Sequence, residues 1–150
     1  MIANILLEIK AVKLSPENPF TWTSGIKSPI YCDNRQIISY PKHRSVIIEQ
    51  FCKRIRTLKN VDCIAGTATA GIPWAAWIAH ELELPMIYVR SSNKSHGLGN
   101  AIEGAYKKGQ RAVLIEDLIS TGKSSIEACL KLQGASIEVL EVQSIFNYGI

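Results

Sequence analysis

The 150-residue sequence has no uninterrupted apolar run approaching the roughly 18 residues that a membrane-crossing helix needs, so no membrane partner is expected. Cysteine is sparse. Cys32, Cys52, Cys63 and Cys129 are scattered and form no CxxC pair, which supports neither a zinc site nor a disulfide framework and points to a reducing, cytoplasmic setting. Repeats, low-complexity tracts and linkers are missing too, so the chain reads as one unit. Charge of one sign is in small excess: 17 basic against 13 acidic residues gives +4. That favours an anionic partner but is too little to mark a nucleic-acid binder, and none is expected. The first residues, MIANILLEIKAVKL, carry Glu8 and Lys10 within an apolar pattern and lack a basic leader. They read as an amphipathic helix and not as a signal peptide.

What is present is an ordinary globular balance, 47% hydrophobic and 20% charged, which excludes a disordered chain. A domain of this size removes roughly 70% of its extended-chain surface from water. The cluster Ser15-Pro16-Glu17-Asn18-Pro19 cannot continue a helix. Residues 20–22 and 30–32 read as two short strands around a Ser24-Gly25 bend. Pro41 opens a helical pattern with Val46, Ile47, Phe51, Ile55 and Leu58 on one side. From residue 61 onward strand and helix alternate. Strands are expected at 61–65, 86–89, 112–115 and 137–145, helices at 72–82 and 124–132, and a long glycine-bearing connection at 90–104. Such alternation predicts an α/β fold, a mainly parallel sheet flanked by helices. Ligands of these folds bind at the carboxyl ends of the strands, where the loops after Ala65, Val89 and Ile115 converge.

The most informative segment is Val113-Leu114-Ile115-Glu116-Asp117-Leu118-Ile119-Ser120-Thr121-Gly122-Lys123-Ser124. Two carboxylates at a strand end precede a loop of hydroxyls and glycine that opens a helix. The loop's N–H groups form a nest for a phosphate, and carboxylates suit sugar hydroxyls. Phosphate and diol on one loop describe a ribose 5-phosphate. The competing reading of Glu116-Asp117 is a solvated strand end. A nucleotide P-loop is excluded, because the motif requires glycine where Asp117 stands.

An acidic pair after an apolar strand, followed by this loop, resembles the phosphoribosyl pyrophosphate (PRPP) motif of type I phosphoribosyltransferases. Three further segments resemble the orotate phosphoribosyltransferase family within them. Phe20-Thr21-Trp22-Thr23-Ser24-Gly25-Ile26-Lys27-Ser28-Pro29-Ile30-Tyr31-Cys32-Asp33 is similar to its N-terminal signature. Gly66-Thr67-Ala68-Thr69-Ala70-Gly71-Ile72-Pro73 resembles its pyrophosphate-side loop, and Tyr88-Val89-Arg90-Ser91-Ser92-Asn93-Lys94-Ser95-His96-Gly97 its catalytic loop.

The resemblance implies a type I phosphoribosyltransferase-like fold, with an N-terminal helix and hairpin hood in residues 1–40 and a core in 41–150. It implies Mg²⁺-dependent transfer of ribose 5-phosphate from PRPP to orotate, giving orotidine 5-monophosphate and pyrophosphate for pyrimidine (UMP) synthesis. Arg90, Lys94 and His96 would hold pyrophosphate, the loop reaching into the neighbouring subunit's site of a homodimer. Gly97 and Gly99 would let that loop open and close. The alternative for this loop is a solvated basic connection. Glu116 and Asp117 would meet the ribose hydroxyls, and Leu118, Ile119, Ser120, Thr121, Gly122, Lys123 and Ser124 would surround the 5-phosphate, Ser120 also lying near the base. The hairpin would enclose the pyrimidine mainly through backbone groups, and Lys27 is equally well read as structural. No protein metal ligands are expected; Mg²⁺ would be held through PRPP and water.

Some positions depart from family members. Ser91 stands where many relatives carry a second basic residue, Ala70 where some branches place a lysine, Thr23 where some place another, and Lys123 where a small residue is usual. Relatives also run on beyond a segment like residues 144–149, so a missing C-terminal segment and an unshielded last strand are expected. Three other readings remain: a phosphoribosyltransferase for another base, a PRPP-binding regulator without catalysis, and an inactive fragment.

Overall fold

The structure is a computed structural model and describes residues 1–91 and 101–150. Its centre is a five-stranded sheet in the order β7-β6-β5-β8-β9, formed by β5 (Cys63–Thr67), β6 (Met86–Val89), β7 (Ile102–Glu103), β8 (Arg111–Ile119) and β9 (Glu138–Asn147). All pairings are parallel except β6 with β7. Every residue of central β5 is buried, and alternation decides which face each serves. Ile64, Val113 and Ile115 join one apolar cluster, while Cys63, Ala65, Ala112 and Leu114 join another on the opposite face.

Three helices complete the layers. On the first face lie α2 (Pro41–Ile55), contributing Ile47, Phe51, Cys52 and Ile55, and α3 (Gly71–Leu82), contributing Trp74, Ala75, Ile78 and Ala79. On the second lies α4 (Lys123–Gly134) with Ala128 and Leu132. Pro41 starts α2 at a position where its missing N–H leaves no bond unmade. Burying each large aliphatic side chain contributes about 1.5–3 kcal/mol, so the alternation itself fixes the sheet between its helices.

The N-terminal region differs from the sequence expectation. Helix α1 covers only Ile2–Glu8. Lys10 takes a left-handed φ of 57°, and Val12–Leu14 becomes strand β1, antiparallel to β4 (Ile30–Cys32). The hairpin is therefore not between residues 20–22 and 30–32. Instead β2 (Phe20–Thr21) pairs with β3 (Lys27–Ser28), and the turn is closed by Trp22 N–H to the Ile26 carbonyl at 2.9 Å. A 3-10 helix, Asn34–Ser39, then leads into α2.

Two differences touch the predicted site. Strand β5 runs two residues beyond Ala65, which shortens the following loop to residues 68–70. Strand β8 does not stop at Ile115 but continues through Glu116 and Asp117 to Ile119, held by β9 with Glu116 opposite Ser144 and Leu118 opposite Phe146. The long connection after β6 also contains a strand, β7, which the sequence pattern did not reveal.

Candidate active site

Parallel β5 and β8 deliver residues 68–70 and 116–124 to the same end of the sheet, and the hairpin and 3-10 helix roof it. Between them is a cavity of about 770 Å³, within the range of small-molecule sites. Besides the segment from Tyr31 to Arg35 and Tyr148 after β9, three stretches form its walls. Thr21, Trp22, Thr23 and Ser24 come from the hairpin, Ala68, Thr69 and Ala70 from the loop after β5, and Glu116, Asp117, Leu118, Ser120 and Ser124 from β8 and the α4 entry.

The two carboxylates have different environments. Glu116 is 6% exposed. It accepts hydrogen bonds from the hydroxyls of Thr67 at 2.5 Å, Ser125 at 3.2 Å and Ser124 at 3.5 Å. Burial pushes its pKa up, and the Thr67 bond opposes that rise. Asp117 is half-buried and faces the cavity. Burial raises its pKa as well, against the lowering action of the Leu118 and Asp117 backbone N–H groups and the Arg35 charge. Asp117 is thus the freer acceptor for an incoming hydroxyl, while Glu116 is committed to tying β8 to β5 and α4.

The other predicted residues separate. Ile119 ends β8, and its carbonyl accepts from Tyr148 N–H at 3.0 Å. Thr121, Gly122 and Lys123 form the turn into α4 but do not line the cavity. Gly122 adopts φ 81°, a conformation that favours glycine, and Lys123 is exposed. Arg90 lies outside the cavity wall: its Nε is 2.7 Å from Glu103 Oε1, and its carbonyl accepts from Lys131 Nζ at 2.9 Å. Lys94 and His96, with Gly97 and Gly99, lie outside the described residues.

Three residues of the site escaped the sequence reading. Asn34, 2% exposed, donates to the Asp117 carbonyl at 2.8 Å and accepts from the Cys32 thiol at 2.8 Å. Arg35 lines the cavity beside it. Tyr148 stacks on Trp22 with ring centroids 4.0 Å apart, and its hydroxyl accepts from Cys32 N–H at 2.9 Å. The available signal was a polar triplet, Asp33-Asn34-Arg35, directly after an apolar strand.

A mostly parallel sheet with flanking helices, an acidic strand end and a hydroxyl-rich loop opening a helix is the architecture of a type I phosphoribosyltransferase. The sequence matches the phosphoribosyl transferase domain over residues 33–146. It is 57% identical over 150 residues to an orotate phosphoribosyltransferase of Listeria monocytogenes serotype 4b (strain F2365), covering 99% of this chain and 72% of that protein. With the orotate phosphoribosyltransferase of Bacillus subtilis (strain 168) it shares 56% identity over 151 residues, 100% of this chain and 70% of that one. The crystal structure of orotate phosphoribosyltransferase from Aeropyrum pernix superposes with a TM-score of 0.82 at 28% identity, covering 99% of this chain and 94% of that one. The chain belongs to the orotate phosphoribosyltransferase family.

Proposed function

We propose that this chain transfers ribose 5-phosphate from PRPP to orotate, releasing pyrophosphate and forming orotidine 5-monophosphate for pyrimidine biosynthesis. The observation that carries this reading is the convergence of three chemically distinct walls on one cavity. Beside the α4 entry, the Ser120 and Ser124 side chains line the cavity where a 5-phosphate would sit. Asp117 accepts from a ribose hydroxyl. The hairpin and Tyr148 offer flat apolar surface to a pyrimidine, and residues 68–70 face the pyrophosphate side.

In the reaction, a ring nitrogen of orotate forms a bond to ribose C1 and gives up its proton to pyrophosphate or water, as the bond from C1 to the pyrophosphate oxygen breaks and its electron pair leaves with pyrophosphate. Positive charge develops on the ribose. The Asp117 carboxyl stands near that charge, and positioning with charge complementarity supplies the catalysis. Arg90, Lys94 and His96 are assigned to the departing pyrophosphate, in a homodimer whose sites are shared. Arg90 must then exchange Glu103 for the phosphate oxygens.

Mg²⁺, a hard cation that takes oxygen donors, suits a cavity lined by the Asp117 carboxyl and the Thr69 and Ser120 hydroxyls. Asp117 is the residue that would hold such an ion, the substrate and water supplying the remaining oxygen donors. When bound, the ion would neutralise charge on the leaving group. Four free cysteines suit a reducing, cytoplasmic location, and among the described residues no helix is long and apolar enough to cross a membrane.

The test is pyrophosphate release dependent on both orotate and PRPP in the presence of Mg²⁺. Activity is expected, with a loss of at least about tenfold in Lys94→Ala, the scale of a charged transition-state contact. Release with PRPP and a purine base but not orotate would refute the assignment, and unchanged turnover in Lys94→Ala would refute the loop's role. Mixing Lys94→Ala with Asp117→Asn subunits should partly recover activity; none in verified mixed dimers would refute site sharing.

A further inference from the structure

We propose that Arg35, on the 3-10 helix, is the cation with which the wall of this cavity grips the pyrophosphate end of PRPP. The inference rests on the PRPP reading above.

The cavity wall is unbalanced in charge. Among the described residues it carries three acids, Asp33, Glu116 and Asp117, and one cation, Arg35. A substrate with a phosphate at one end and a pyrophosphate at the other must pass beside Asp117, which repels it. The loop at residues 68–70 offers it no compensating side-chain charge, only the Thr69 hydroxyl and main chain. Arg35, which lines the same cavities as Thr69 and Ala70, supplies charge and paired donors in the geometry that phosphate oxygens accept.

Arg35 is held for this task. Asn34 fixes the adjoining backbone to the Asp117 carbonyl at 2.8 Å. The neighbouring acid, Asp33, is occupied: one oxygen accepts from Arg35 N–H at 3.3 Å and the other from Gln36 Nε2 at 3.2 Å. The Arg35 side chain itself is exposed, and its charge acts on Asp117.

Position decides between the two anionic ends of the reaction, pyrophosphate and the carboxylate of orotate. Arg35 borders a second cavity of about 350 Å³ that it shares with Thr69, Ala70, Pro73 and Asp117. The hairpin residues 21–24 and Tyr148 line the first cavity and not the second. Arg35 therefore lies on the side of the pyrophosphate loop, across from the base.

The experiment compares the full chain with Arg35→Ala, with Arg35→Lys and with the double variant Arg35→Ala/Ala70→Lys. It reads steady-state KM for each substrate and calorimetric affinity for magnesium pyrophosphate alone. In Arg35→Ala the KM for PRPP should rise by about 10- to 100-fold, the range for losing charge-assisted hydrogen bonds. The KM for orotate should change less than about twofold, since base contacts are untouched. Pyrophosphate affinity should fall in parallel, recover partly in Arg35→Lys, and recover partly in the double variant. Unchanged pyrophosphate affinity in Arg35→Ala, a loss confined to orotate, or no recovery in the double variant overturns the proposal. A wild-type chain that binds pyrophosphate through Arg35 yet ignores orotate would instead refute the orotate reading and leave Arg35 in place.

Discussion

The side-chain amide of Asn34 donates to the main-chain carbonyl of Asp117 at 2.8 Å, joining positions 83 residues apart. The same side chain accepts the Cys32 thiol at 2.8 Å, so one buried amide couples the roof of the cavity to the strand that carries Asp117. Without its partner the Asp117 carbonyl and the Cys32 thiol are left in a poorly hydrated place. Asn34→Ala should destabilise the chain by about 1–3 kcal/mol, the range for orphaning buried polar groups. At this chain length each 1 kcal/mol is roughly 2–4 °C of melting temperature. Thermal unfolding measures the loss, and kcat/KM should fall with it because Asp117 is no longer held.

Asp117 itself should trade stability for activity. Burial raises its folded pKa above the ordinary 3.8. A raised carboxyl pKa gives stability that is complete below the unfolded value and is lost as pH rises through the folded one. At neutral pH the folded chain therefore carries a penalty for the ionised side chain. Asp117→Asn should abolish most turnover while raising the melting temperature near pH 7. The gain should hold above the folded pKa, shrink as the pH falls through it and vanish well below the unfolded value of 3.8, where wild-type Asp117 is protonated in both states. Melting curves of the two proteins across that range check the sign as well as the size.

Sequence pattern revealed the middle of the central sheet because β5 and the first part of β8 are apolar on both faces and bounded by turn residues. Met86–Val89 begins and ends where expected. Pattern failed where an element is too short to show a period: Lys27–Ser28 and Ile102–Glu103 are two residues each. Val12–Leu14 was absorbed into the preceding helix because three residues fit either period, and only pairing with Ile30–Cys32 decides the matter. Strand β8 looked shorter than it is, since Glu116 and Asp117 resemble a strand end until β9 is seen beside them. Glu116, Asp117, Leu118, Ser120 and Ser124, which the sequence singles out, line one cavity because they follow one another along the end of β8 and the turn into α4. Asn34, Arg35 and Tyr148 were not legible, since their partners lie far away in the chain; Cys32 and Tyr148 are 116 residues apart.

Gly71 is required by a close approach. A Cβ there would stand 2.6 Å from the Ile115 carbonyl oxygen and 2.6 Å from Thr67 Oγ1. The first is backbone of the central strand, and the second is the hydroxyl that bonds Glu116. Neither yields without moving the end of the sheet. Gly71→Ala should destabilise by about 1–3 kcal/mol, as overpacking does, and should lower kcat/KM by displacing residues 68–70. Chemical denaturation gives the first quantity and steady-state kinetics the second. Gly134→Ala, with nothing within 4 Å of the added carbon, is the matched control and should be neutral or slightly stabilising.

Tyr148 links the last strand to the hairpin by two kinds of contact that a single substitution separates. Its ring packs on Trp22 at 4.0 Å and edge-on to Phe146 at 5.1 Å. Its hydroxyl accepts from Cys32 N–H at 2.9 Å. Tyr148→Phe keeps the rings and removes only the acceptor, which should cost about 1 kcal/mol. Trp22 and Tyr148 both line the cavity on its hairpin side, so loosening Cys32 should act on the base and not on PRPP. The KM for orotate should rise several-fold while that for PRPP stays within about twofold, as expected when one substrate's contacts alone are disturbed. Tyr148→Ala removes the stack as well and should add to the orotate effect, each step read from initial rates with the other substrate saturating. Equal rises in both KM values would instead place Tyr148 in the general support of the cavity.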